Sequence, residues 1–240
     1  LAAGHLIENW LKTGELLATA YVSVAGEKTI QPYSGLPGFS YPWLFGFLSV
    51  IFSTGKGLIF FAPGLWAVFL RGIFRGFVGA FLLAGLVYLI GLLAVFPRWW
   101  AWSGDWFWGP RFYLFASLWG ATALAAIWSG WEAGSRRRVY WVVATGFSLW
   151  VGFLGITFGQ DMLQDCAETQ RQYLCHYVPE FSPLWRPFSW SDLTGRKPAF
   201  AAYFFLVALA LLWRPLASLA DSLAIWGRAE WLVFRERLGR

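Results

Sequence analysis

From Gly76 to Phe96 the chain carries no charged residue, and that stretch restricts the fold more than any other feature. A helix rises 1.5 Å per residue, so about 20 apolar residues cross the ~30 Å hydrocarbon layer of a bilayer. In water the same helix would have no polar face to offer. Similar runs follow at Tyr113 to Trp131, Val139 to Phe158 and Ala199 to Trp213, and a run carrying Pro63 and Gly64 extends from about Ser53 to Leu70. Hydrophobic residues make up 58% of the chain, charged residues 13%, and mean hydropathy is +0.52; soluble domains carry about a quarter charged residues. The expected fold is all-α, a polytopic transmembrane helical bundle with about five spans (53–70, 76–96, 113–131, 139–158, 199–213) in one membrane domain.

The remaining segments are shorter or more polar. Residues 1–35 mix Glu8, Lys12, Glu15, Glu27 and Lys28 with Leu6, Trp10, Leu17 and Tyr21 near helical spacing, which reads as an amphipathic external segment. Tyr41 to Thr54 is apolar but too short to cross comfortably, so 36–56 is expected to be a re-entrant or interfacial helix. No signal peptide is visible at the Leu1 end, and a start downstream of earlier helices would account for that. Residues 160–198 form a polar loop and 216–240 a basic amphipathic tail. Most of the 18 Trp residues lie beside apolar runs, where their rings favour the membrane interface.

Charge orients these spans. With alternating topology, Arg71, Arg75, Arg136, Arg137, Arg138, Arg214, Arg228, Arg235, Arg237 and Arg240 share a side with Glu132, Asp221, Glu230 and Glu236, and the whole formal charge of +6 falls there. The positive-inside rule makes that side, with the tail, cytoplasmic. The basic balance thus points to topology and anionic lipids and away from nucleic acid. Cys166 and Cys175 both fall in the opposite loop, where a disulfide is chemically plausible and would contribute about 3 kcal/mol by restricting the unfolded chain; two free thiols are the alternative. Their spacing, with only His176 nearby, makes a poor zinc site.

Two turns on the non-cytoplasmic side carry the candidate chemistry. Ser53-Thr54-Gly55-Lys56-Gly57 is not a nucleotide P-loop, because the first Gly is missing at the required offset and no Ser or Thr follows the Lys. It remains a Gly-flanked cation able to hold a lipid phosphate, with snorkelling to the headgroups as the plainer account. In W-S-G-D-W-F-W-G-P-R, Trp102 to Arg111, the Gly109-Pro110 step aims the next helix and Arg111 can fork onto a phosphate. Asp105 can pair with Arg111 or Lys56, or hold a divalent cation. An aromatic belt with one structural Asp-Arg pair is the alternative. His5 and His176 are the only histidines, and neither completes a catalytic triad.

The stretches F-S-T-G-K-G-L (Phe52 to Leu58) and W-S-G-D-W-F-W-G-P-R resemble the F-S-P-G-[KR]-G-L and W-G-G-x-W-x-x-G-P-R segments of bacterial polytopic glycosyltransferases of the C superfamily. The likeness is to glycosyltransferase family 39, similar to the dolichyl-phosphate-mannose protein mannosyltransferases. It covers roughly residues 35 to 125, and here Thr54 stands for Pro and Ser103 for the first Gly. The resemblance implies a membrane protein of the bacterial inner membrane that transfers a sugar from a polyprenyl-phosphate donor on the non-cytoplasmic face. Lys56, Arg111 and Asp105 would bind the donor phosphate, and Trp102 and Trp108 would line its path. It also implies a carboxylate general base in a first external loop, which this chain begins downstream of, so no catalytic residue is assigned. A non-catalytic subunit scaffolding other membrane subunits is the competing expectation, and it requires no cavity around Trp102 to Trp108. A transporter would show internal repeats and paired intramembrane charges, and neither is visible.

Overall fold

The computed structural model describes residues 33–70, 72–104, 107–129, 136–158, 171–187 and 197–238, with positions 7, 10, 11, 14 and 28 before them. The expected amphipathic segment 1–35 therefore lies almost wholly outside the described residues. Among the described residues, four helices are long and apolar enough to cross a membrane: Gly76–Arg98, Arg111–Ser129, Val139–Thr157 and Lys197–Ser218. The chain is thus an all-α membrane bundle. Among the residues from 33 on that the structure describes, the α-helices are, in order, α1 (Trp43–Phe52), α2 (Leu58–Phe61), α3 (Gly76–Val95), α4 (Leu114–Ser129), α5 (Arg136–Thr157), α6 (Gln172–Tyr177) and α7 (Lys197–Leu238). The tail expected at 216–240 continues α7 as helix to Leu238.

The bundle has two ends. At the loop end, Tyr41 N–H donates to the Arg98 carbonyl, Trp100 N–H to Gly38 and Gly55 N–H to His176. At the arginine end, the 72–75 turn lies against Arg137, whose guanidinium is 3.6 Å from the place a Gly72 Cβ would take. Both ends of α1 are tied to the loop end, through Tyr41 and through the Ser53 hydroxyl, which donates to the His176 carbonyl at 2.7 Å. Ten residues of helix are about 15 Å long, half the hydrocarbon thickness.

The span expected over 53–70 is not a continuous helix. Four residues of α2 are followed by a break at Ala62 (φ −133°, ψ 61°) and a 3₁₀ turn, Pro63–Phe69, that carries the chain from Lys56 at the loop end to Gly72 at the arginine end. Pro63 causes the break, because it has no N–H and its ring crowds the carbonyl four residues back. That carbonyl, Ile59, accepts instead from the Trp66 indole N–H at 3.1 Å. The Tyr140 hydroxyl lies 3.3 Å from the Pro63 carbonyl and 3.1 Å from that of Gly64, and donates into this pair. Irregular backbone survives at membrane depth only when protein buries it and supplies its hydrogen bonds, and Pro63, Gly64 and Ala67 are all buried. Tyr140→Phe is expected to lower stability by about 1 kcal/mol, within the range for interhelical hydrogen bonds in bilayers, as read by reversible denaturation in mixed micelles.

The same device recurs at Pro97. Leu93, four residues earlier at the end of α3, accepts from the Trp43 indole at 3.2 Å. Gly46 of α1 sits so tightly on Pro97 that a Cβ there would collide with its carbonyl. Two of the tryptophans thus cap carbonyls that prolines release. Elsewhere the helices meet through small residues, as membrane helices do when no hydrophobic force drives them together. Gly64 lies on Gly120 and Gly85 on Trp119, and Ala67, Leu82, Trp119, Ala123 and Trp141 form the core near the arginine end.

Candidate functional site

Folding brings the two motif turns together, although Lys56 and Gly109 stand 53 residues apart. The Ser53 hydroxyl accepts the Lys56 N–H at 3.1 Å while donating to His176. Thr54 Oγ1 donates to the same His176 carbonyl at 3.2 Å, and the Ser182 hydroxyl donates to the Thr54 carbonyl at 2.7 Å. Ser49 and Tyr177 share a hydroxyl hydrogen bond of 2.8 Å. Residues 171–187 of the long loop therefore strap the turn down. Gly55 permits it, since a Cβ at that position would collide with the Cys175 carbonyl.

Lys56 is 0% exposed. Its ammonium group donates to the Phe107 carbonyl and, at 3.4 Å, to the Gly109 carbonyl. A buried ammonium needs such partners, because the low dielectric penalises a charge left without them. Expected at a donor phosphate, the Lys56 ammonium is found on these two carbonyls of the 107–109 turn. Gly104 (φ 73°) and Gly109 (φ 69°) give that turn its left-handed backbone, and a Cβ on Gly109 would stand 2.8 Å from the Phe61 ring.

Arg111 takes the opposite role. Its guanidinium lies over the rings of Phe107 (4.4 Å) and Phe112 (5.0 Å), and it is only half-buried. Ring contacts occupy the faces of the guanidinium and leave its N–H donors, which lie in its plane, for an anion. Trp108 meets Phe61 edge-on at 5.6 Å. Trp102, at 3% exposure, packs on His176 and Tyr177 in the interior. Burial, and after it the nearby Lys56 charge, push the His176 imidazole down to about 3 and keep it neutral. Asp105 and Cys166 lie outside the described residues. Cys175 is buried against Phe181, and no thiol among the described residues is free. No group of three metal-ligating side chains occurs among the described residues.

Beneath the 107–110 turn lies a cleft of about 340 Å³. Trp108, Gly109 and Pro110 roof it, the broken crossing at Phe61 to Gly64 forms its floor, and α4 and α5 are its walls. Leu114, Ser117 and Ala121 on the α4 wall are exposed, so the cleft is open along α4. Of the residues singled out by sequence, Trp108 lines the cleft and Arg111 stands beside its roof; Lys56 and Trp102 support them from behind. Sequence reasoning missed Gly64 and Gly120, whose close approach shapes the floor, and the His176 carbonyl, the hub of the strap. A backbone acceptor leaves no signature in residue type.

None of the protein-family models, curated proteins or solved structures compared with this chain matches it. Fold and composition by themselves define an integral membrane protein built of apolar helices.

Proposed function

We propose that this chain binds a polyprenyl-phosphate-linked sugar on the non-cytoplasmic face of the bacterial inner membrane, as the donor-binding part of a membrane glycosyltransferase. The observation that carries this reading is the open cleft directly under the turn that presents Arg111. A polyprenyl phosphate has the matching form, an apolar chain joined to an anion at the water boundary. The chain lies in the cleft against Phe61, Trp108 and Leu114 while the phosphate meets the in-plane N–H groups of Arg111. Lys56 contributes by fixing the turn on which Arg111 stands.

The orientation belongs to the same proposal: the arginine end is cytoplasmic, the loop end external, and Cys166 and Cys175 are joined there in a disulfide. The absence of a free thiol among the described residues supports the pairing. A scaffolding subunit would need no cleft beside Trp108, and the cleft therefore favours the ligand-binding reading. Arg111→Ala in nanodisc-embedded protein is expected to weaken undecaprenyl phosphate binding by about 1.5–3 kcal/mol, roughly 10- to 150-fold, the range for a charged hydrogen bond. Arg111→Lys restores part of it, since a point charge replaces the fork. Equal binding by the wild type and the Ala variant would remove the phosphate contact.

A further inference from the structure

The 72–75 turn at the arginine end gathers positive charge. Gly72 takes the left-handed conformation (φ 84°), and two guanidinium side chains meet at the place its Cβ would occupy. Arg137 Nη2 lies 3.6 Å from that point, and Arg75 Cδ and Nε lie 3.8 Å from it. Two helices begin here as well: Arg75 is the N-cap of α3 and Arg136 opens α5, and neither first turn contains an acidic residue. A helix N-terminus carries about half a positive charge, so cations are unfavourable where these arginines stand. Like charges brought together at a bilayer boundary also repel more than they would in water, because the effective dielectric is lower. An anion held between the two guanidiniums turns that repulsion into charge-assisted hydrogen bonds.

Hydrocarbon brackets the same turn. Phe69, the last residue of the 3₁₀ segment, and Phe77, in the first turn of α3, are 85% and 90% exposed, the two highest values for large apolar side chains among the described residues. A soluble anion would use the charges and leave these rings in water. A phospholipid matches both. We propose that Arg75 and Arg137 form a headgroup site for an anionic phospholipid of the leaflet at the arginine end, with Phe69 and Phe77 set in the hydrocarbon beside it. The site is independent of the donor-binding reading. Its occupant clamps the turn that joins the broken crossing to α3, so the lipid stabilises the fold as any ligand of the native state does.

The test titrates phosphatidylglycerol into phosphatidylcholine nanodiscs holding the full chain, and reads lipid retention by native mass spectrometry together with the thermal unfolding midpoint. Arg75→Gln and Arg137→Gln are each expected to weaken phosphatidylglycerol about tenfold, the loss of one charged contact. Arg214→Gln removes the same charge from the same end: Arg214 is exposed on α7, about 25 Å along the helix from Lys197, whose ammonium lies over the Phe158 ring at the loop end. It is expected to cost no more than about twofold, because salt near 0.15 M screens exposed charges beyond about 8 Å. Phosphatidylglycerol should raise the unfolding midpoint of the wild type and not that of Arg75→Gln. Arg75 is exposed, so its variant decides the matter alone if Arg137→Gln does not fold. Equal losses in all three variants would reduce the effect to diffuse attraction and overturn the site, as would equal retention of the two lipids by the wild type. Displacement by millimolar inorganic phosphate would overturn the lipid as occupant.

Discussion

Lys56→Met is expected to loosen the loop end and to lower stability by about 2 to 4 kcal/mol, because the buried Gly109 carbonyl loses its partner at roughly 1–3 kcal/mol and the part-buried Phe107 carbonyl loses a hydrogen bond of about 1 kcal/mol. Met nearly matches Lys in length and fits the space, so the loss isolates the ammonium group. An opposing effect exists: removing a buried charge ends its desolvation penalty, and some buried charges can be replaced by apolar residues without loss. That outcome requires both partners to be replaced, and here the Phe107 and Gly109 carbonyls remain. Burial is the larger of the two causes that hold His176 neutral, so it stays neutral without Lys56. Lys56→Arg should not rescue, since the site is closed and a guanidinium is larger. Thermal melting in detergent, with limited proteolysis of the 102–111 and 171–187 segments, reads the effect. A variant as stable as the wild type, with both segments equally protected, would show that the ammonium does not hold the turn.

The spans were legible because length and lack of charge are properties of a segment by itself. Gly76 to Phe96 reads as a crossing from its own residues, and so do the stretches now seen in α4, α5 and α7. The run over 53–70, expected as one span, is instead a short helix, a break and a 3₁₀ segment, and that form was not readable. Pro63 announces a break in the helix, whereas the partners that let the break persist, Trp66 and Tyr140, are supplied by folding. The abundance of tryptophan reads as interfacial anchoring, and nothing in the sequence distinguishes Trp43, donating to a carbonyl freed by Pro97, from a ring at the headgroups.

The site was legible as two motifs and illegible as an arrangement. Gly-flanked Lys56 and Gly-Pro-Arg111 are both basic residues in tight turns on the same side, so residue type gives them the same expected role. Folding separates them, because the carbonyls that turn Lys56 inward come from the other motif. Arg111 sits where two rings take its faces and leave its edges.

Gly64→Ala should have the next largest effect, because it acts where the broken crossing and α4 touch backbone to backbone. A Cβ on Gly64 would lie 2.5 Å from the Gly120 Cα, 2.6 Å from its carbonyl carbon and 2.7 Å from its oxygen. None of these atoms belongs to a side chain that can swing aside, so the crossing and the helix must separate. Separation also draws the Pro63 and Gly64 carbonyls away from Tyr140, and overpacking plus that lost bond gives about 3 kcal/mol or more. The reciprocal Gly120→Ala meets its nearest atom, the Gly64 Cα, at 3.0 Å and should cost less. Gly91→Ala in α3 meets nothing within 4 Å and serves as the control, expected to be neutral or slightly stabilising. Gly64 and Gly120 also line the cleft, so the surviving fraction of Gly64→Ala protein should bind undecaprenyl phosphate less tightly, whereas Gly91→Ala should bind it normally. Denaturation in mixed micelles and lipid binding on the same preparations separate the two effects. Equal stability of the Gly64→Ala and Gly91→Ala proteins would mean that the crossing and α4 are not in contact at this point.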